Sequence, residues 1–247
     1  MKRSAIPERY RAMFKTNLGL GVFLIACAYV FGSPLFLDDP LPLKIAAGVV
    51  LATSIGQVAA WRFDGGRGRL WLYGVAAVLA GCSTYFFVAG ISWIFYFSST
   101  QMPSAIRIIC VGAAVSGTLL WGAMTARQVS VVLGKPEFIA HAFKDAGSEM
   151  QYSLSEMQQF GAFSDRCGPI VRIGQGLVLF AVPAVFLAAR IRSLLPASAD
   201  LLLFSTVLLY PCSQFFFGVI VKGSLLMIGM PRRLERIHGK PVVLTGD

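Results

Sequence analysis

Charge is the scarcest commodity in this 247-residue chain: 14% of its residues are Asp, Glu, Lys or Arg, and 56% are apolar. A soluble domain carries roughly a quarter charged residues to cover its surface, so an ordinary soluble globule is excluded, and so is a disordered chain. The composition reads as that of a membrane protein. Acids are absent from every long apolar run, although proton-coupled transporters, pumps and intramembrane proteases need a titrating or metal-binding group at their working depth. Chemistry at the bilayer midplane is therefore not expected. Histidine is nearly missing as well; His141 and His238 both fall outside the apolar runs, which leaves no pair for haem within the bilayer.

The lone asparagine, Asn17, precedes Leu18 and Gly19 and is no glycosylation acceptor. The five cysteines include no Cys-x-x-Cys pair and have no histidine nearby, so neither a zinc site nor a disulfide framework is predicted. Phosphate-loop, His-Glu-x-x-His and Gly-x-Ser-x-Gly signatures are also lacking. No catalytic residue, metal or cofactor is predicted, and no internal repeat is visible.

What is present is a set of six runs near the roughly 20 apolar residues that cross a bilayer. They cover Leu18 to Phe36, Leu43 to Trp61, Leu70 to Phe97, Ile108 to Met124, Ile173 to Ala189, and Leu201 to Val221. Turn-like stretches at Leu37 to Pro40, Asp64 to Gly68 and Gln101 to Pro103 separate the first four. The predicted fold is all-α, with six membrane spans. Four regions follow: a four-span part (1–124), a loop (125–172), a two-span part (173–221) and a basic tail (222–247).

Orientation comes from the basic residues, which insertion retains in the cytoplasm. On alternating sides, eighteen of the 22 fall together, leaving only Lys44, Arg107, Arg190 and Arg192 opposite. Both termini are thus expected in the cytoplasm, with a bacterial inner membrane preferred as the location. Topology accounts for the formal charge of +10. Anionic lipid headgroups, rather than nucleic acid, are the natural electrostatic partners. Leu24-Ile25-Ala26-Cys27 resembles a lipobox, yet the apolar run continues through Tyr29 to Phe31, which favours an uncleaved first span.

Mild polarity remains inside the runs. Gln57, Gln175 and Gln214, with Lys222 just past the sixth run, are the candidates for lining a pore or substrate path. The competing reading is that such groups hydrogen-bond between helices, at about 0.6 kcal/mol each. Small residues four apart, Ala76 with Ala80, Ala77 with Gly81 and Gly112 with Ser116, favour close packing in the same way. Pro183 and Pro211 lie in the fifth and sixth runs, where kinked helices could frame a cavity. Arg62 to Arg69 reads as a tight basic turn at the lipid phosphates rather than as a nucleotide site.

Between the fourth and fifth spans, Pro136 and Glu137 suit a first helical turn, and apolar residues then recur at near-heptad spacing. An amphipathic cytoplasmic helix is predicted from Pro136 to about Phe163. Its seam of Ile139, Phe143, Ala146, Met150, Leu154, Met157 and Phe160 would contact the chain's own helices, a membrane protein partner or a second copy. The leading expectation is a non-enzymatic accessory protein of assembly, secretion, conjugation, exclusion or immunity type. A small channel or facilitator built on spans 5 and 6 is the alternative. A membrane-bound enzyme on a lipid-linked substrate, using Asp38, Asp39, Asp64 or Asp165, is the third.

Overall fold

The computed structural model describes residues 5–36, 41–87, 104–153, 160 and 201–245. These are mostly helical. The N-terminal part contributes α1 (Ala5–Phe36), α2 (Leu41–Asp64) and α3 (Leu70–Tyr85); α4 (Ser104–Leu133) and the short α5 (Pro136–Ala142) follow. Strands β1 (Phe143–Asp145) and β2 (Met150–Ser153) come next. The C-terminal part is α6 (Leu201–Gly223), a π-helical turn (Ser224–Gly229), α7 (Met230–His238) and β3 (Val242–Thr245).

Three stretches are long and apolar enough to cross a membrane: Leu43–Asp64, Arg107–Leu133 and Ser213–His238. The first two match the second and fourth predicted runs. The third overshoots its predicted end, because the helix continues through Gly223 to Met230 instead of stopping at Lys222. Helix α1 spans the first predicted run, and α3 is an apolar helix of 16 residues within the third. The fifth run, with Pro183 and Gln175, lies outside the described residues, as does 88–103. Pro211 sits within α6, which continues past it.

Helix α3 holds the bundle together because it has two opposite packing faces. At 3.6 residues per turn, Leu72, Ala76, Leu79 and Ser83 share one side, and Gly74, Val78, Gly81 and Tyr85 share the other. The first side meets α2: Leu79 fills the space above Gly56, and the Ala76 carbonyl accepts from Gln57 Nε2 at 3.1 Å. The second side meets α6 and the π-helical turn. Gly81 faces Ile220, Val78 faces Gly223, and the Tyr85 and Phe217 rings lie 5.5 Å apart. Between α4 and α6 the same device recurs, with Gly117 beneath Tyr210 and Gly122 beneath Phe217. Of the small pairs, Ala76 and Gly81 lie in interfaces, whereas Gly112 meets no described atom within 4 Å.

The predicted 136–163 helix is corrected by the structure. A helix does start at Pro136, but it ends at Ala142 and gives way to a hairpin. Asp145-Ala-Gly-Ser is a turn sequence: Asp145 Oδ1 accepts from Gly147 N at 2.9 Å, and Gly147 takes φ +84°. The seven-residue step from Phe143 to Met150 suits a heptad, yet it also carries a chain out of one strand and into the next. Phe143 pairs with Tyr152 across the hairpin, and Met150 and Tyr152 alternate inward at strand period.

The sheet is completed from the far end of the chain. Strand β3 lies parallel to β2, pairing Met150 with Val242 and Tyr152 with Leu244. The 222–245 part of the expected basic tail is therefore folded structure. The hairpin, α5, α7, β3 and the adjoining ends of α3 and α4 enclose one core that includes Leu70, Val129, Phe138, Tyr152, Leu226 and Leu234.

Candidate functional site

The folded end of the bundle is organised by a carboxylate. Asp64 is fully buried at the last residue of α2, where Oδ2 accepts from Gly68 N at 2.9 Å and Oδ1 from Arg69 N at 2.8 Å. Gly65, Gly66 and Gly68 all have positive φ, which lets the chain reverse within a few residues. The nest of backbone donors that such a turn offers to a phosphate is thus filled by the protein's own acid. Asp64 thus closes the turn, each of its oxygens accepting from a backbone N–H. On the outer side of the turn, Gly68 O accepts from Leu244 N at 2.8 Å, and Arg69 bridges Val243. The 64–69 turn, β3, β2 and β1 consequently form one tied unit across the chain.

An ion pair closes the opposite edge. Lys240 Nζ lies 2.7 Å and 2.9 Å from the Asp145 carboxylate oxygens. Its hydrogen bond, then that of the Gly147 N–H, holds the Asp145 carboxyl below its ordinary value of 3.8. A depressed folded value means that the pair contributes above pH 3.8 and that its contribution is lost as pH falls through the lower folded value. Both side chains are partly exposed, so the effect is small. Hydrogen exchange at Val242 to Leu244 is expected to accelerate slightly below pH 4 relative to the intrinsic rate, and Asp145→Asn should abolish that pH dependence. An unchanged profile in the variant would remove the pair from the account.

The predicted contact seam is closed by the chain itself. Phe143, Met150 and Phe160 are buried in the end core, and Ile139 packs against it. Ala146 is exposed at the hairpin turn. Leu154 and Met157 lie outside the described residues. A docking anchor must be accessible, so Phe143, Met150 and Phe160 do not form a free docking surface.

The pore candidates are placed apart. Gln57 packs on one side of α3; Gln214, on α6, donates from Nε2 to Thr118 Oγ1 on α4 at 2.9 Å. Thr118 donates in turn to Ala114 O at 2.8 Å. Tyr210 adds a bond from its hydroxyl to Ala114 O at 3.0 Å. Gln57 and Gln214 are both buried, and each keeps a carbonyl oxygen without a hydrogen bond among the described residues. Lys222, inside the last apolar stretch, rests its ammonium 4.2 Å from the Phe160 ring centroid, at the border between bundle and end core.

Sequence reasoning missed several partners. Asn17 Nδ2 lies 3.4 Å from both Thr53 Oγ1 and Ser54 Oγ, joining α1 to α2. Arg232 stacks 4.2 Å over Trp71. Tyr10 packs edge-on to Tyr73, and burial, then Asp64, then Tyr73 push its phenol far above the ordinary range. Thr53 and Ser54 were legible only as polar residues within an apolar run, which marks a bond without naming its partner, and Asn17, Tyr10 and Arg232 lie outside the runs. The chain matches no family model, no curated protein and no solved structure.

Proposed function

We propose that the protein is a non-enzymatic integral membrane component that works by contact with a partner, through the folded end formed by the hairpin, α5, α7 and β3. One observation carries this reading: among the described residues, Asn17, Gln57, Gln214 and Tyr210 each reach a neighbouring helix. Asn17 with Thr53 and Ser54, Gln57 with Ala76, and Gln214 and Tyr210 with α4 all serve helix pairing. Placing Gln57 and Gln214 on opposite sides of α3 favours a scaffold over a shared conduit. At the folded end, by contrast, Lys144, Ala146 and Ser148 stand exposed on a hairpin braced by a long-range strand pairing.

Photo-crosslinking in membranes of the native host tests the reading. A photoreactive residue at Lys144 or Ser148 is expected to give one saturable protein adduct, with Ile109 and Leu120 on exposed α4 as lipid-facing controls. Lipid and self adducts alone at the hairpin positions, together with solute flux by the purified chain, would replace this reading with the facilitator one.

A further inference from the structure

Positive charge collects around the Asp64 turn. Arg62 and Arg67 flank the turn and are exposed; Arg69 precedes α3, and Arg232, Arg233 and Arg236 stand on α7. The stacking of Arg232 over Trp71 brings α7 beside the start of α3. Asp64 is engaged by two backbone N–H groups, and Glu235 by Val242 N at 3.0 Å. Stacking on an indole restrains the Arg232 guanidinium without using its N–H donors.

The turn also sits where the apolar stretch of α2 ends and that of α3 begins, which is headgroup depth for a membrane helix. Phe63 beside it is 81% exposed, as suits an aromatic residue at the interface.

We propose that this end of the bundle binds the phosphate of an anionic phospholipid headgroup, held by Arg232 and its α7 neighbours, with Phe63 in the adjoining acyl boundary. The site is independent of any protein partner at the hairpin. A free anion would explain the charge but not the depth or Phe63, so the lipid is the occupant.

The test uses the full chain in nanodiscs of phosphatidylcholine, with and without phosphatidylglycerol, reading the thermal midpoint and the lipids retained in native mass spectrometry. Wild type should be stabilised by phosphatidylglycerol and retain it selectively. The Arg232→Gln, Arg233→Gln, Arg236→Gln variant should lose about a hundredfold in that preference, at roughly fivefold for each arginine at the surface. Its midpoint in phosphatidylcholine alone should fall by no more than about 4 °C, the cost of the Arg232–Trp71 stack. A second variant, Arg232→Lys, Arg233→Lys, Arg236→Lys, keeps the charge and should retain most of the preference, which guards against misfolding of the first. An equal preference in wild type and the glutamine variant overturns the proposal. So does an equal stabilisation of wild type by inorganic phosphate in phosphatidylcholine nanodiscs, or the lack of any phosphatidylglycerol preference.

Discussion

Asp64→Ala is expected to lower the thermal midpoint of the detergent-solubilised protein by roughly 10 °C, because it strips two backbone donors of their only acceptor in a site that water does not reach. An unsatisfied buried group costs about 1–3 kcal/mol, and a chain of this size loses about 2–4 °C per kcal/mol. Both losses fall on the same turn, at Gly68 and Arg69, and that turn also receives β3 through Gly68 O. Loosening should therefore spread to the C-terminus, with faster hydrogen exchange at Leu244. Asp64→Asn is expected to fall between the two, since an amide keeps one acceptor but sets an NH₂ group against the other N–H. Intrinsic tryptophan fluorescence during heating measures all three proteins. A midpoint for Asp64→Ala within a degree of wild type would show that the turn holds without its carboxylate.

How far the sequence revealed this arrangement depends on the range of each interaction. Apolar runs were legible because bilayer thickness imposes a length on each segment separately, and α2 and α4 follow from their own residues. The start at Pro136 was legible for the same local reason. The hairpin was not, since Phe143 and Met150 stand a heptad apart and only the turn at Gly147 sets them on two paired strands. Strand β3 was beyond reach: Val242 meets Met150 from 92 residues away, and nothing in Val-Val-Leu-Thr names that neighbour. Asp64 illustrates a further limit. An acid beside glycines and arginines reads as an exposed, chemically available group, and only the closed turn shows it to be the anion that the backbone requires.

Gly74→Val is expected to be at least as damaging as Asp64→Ala, although it adds only apolar atoms to an apolar helix. A Cβ at Gly74 would stand 2.7 Å from the Met227 carbonyl oxygen, 2.8 Å from Met227 Cβ and 2.9 Å from its carbonyl carbon. Overpacking a core costs about 1–3 kcal/mol when side chains can yield, and more where the obstacle is main chain. Met227 lies in the π-helical turn Ser224–Gly229, so displacing it moves α6 and α7 with respect to α3. Gly48→Val supplies the control: no described atom lies within 4 Å of a Cβ there, and the change should leave the midpoint nearly unaltered. Met227→Ala should fail to rescue Gly74→Val, because it retains the carbonyl group and the Cβ that obstruct. Equal midpoints for the Gly74 and Gly48 variants would mean that α3 and the π-helical turn do not approach this closely. A large loss at Gly74 alone would identify that approach as the joint through which the membrane helices position the folded end.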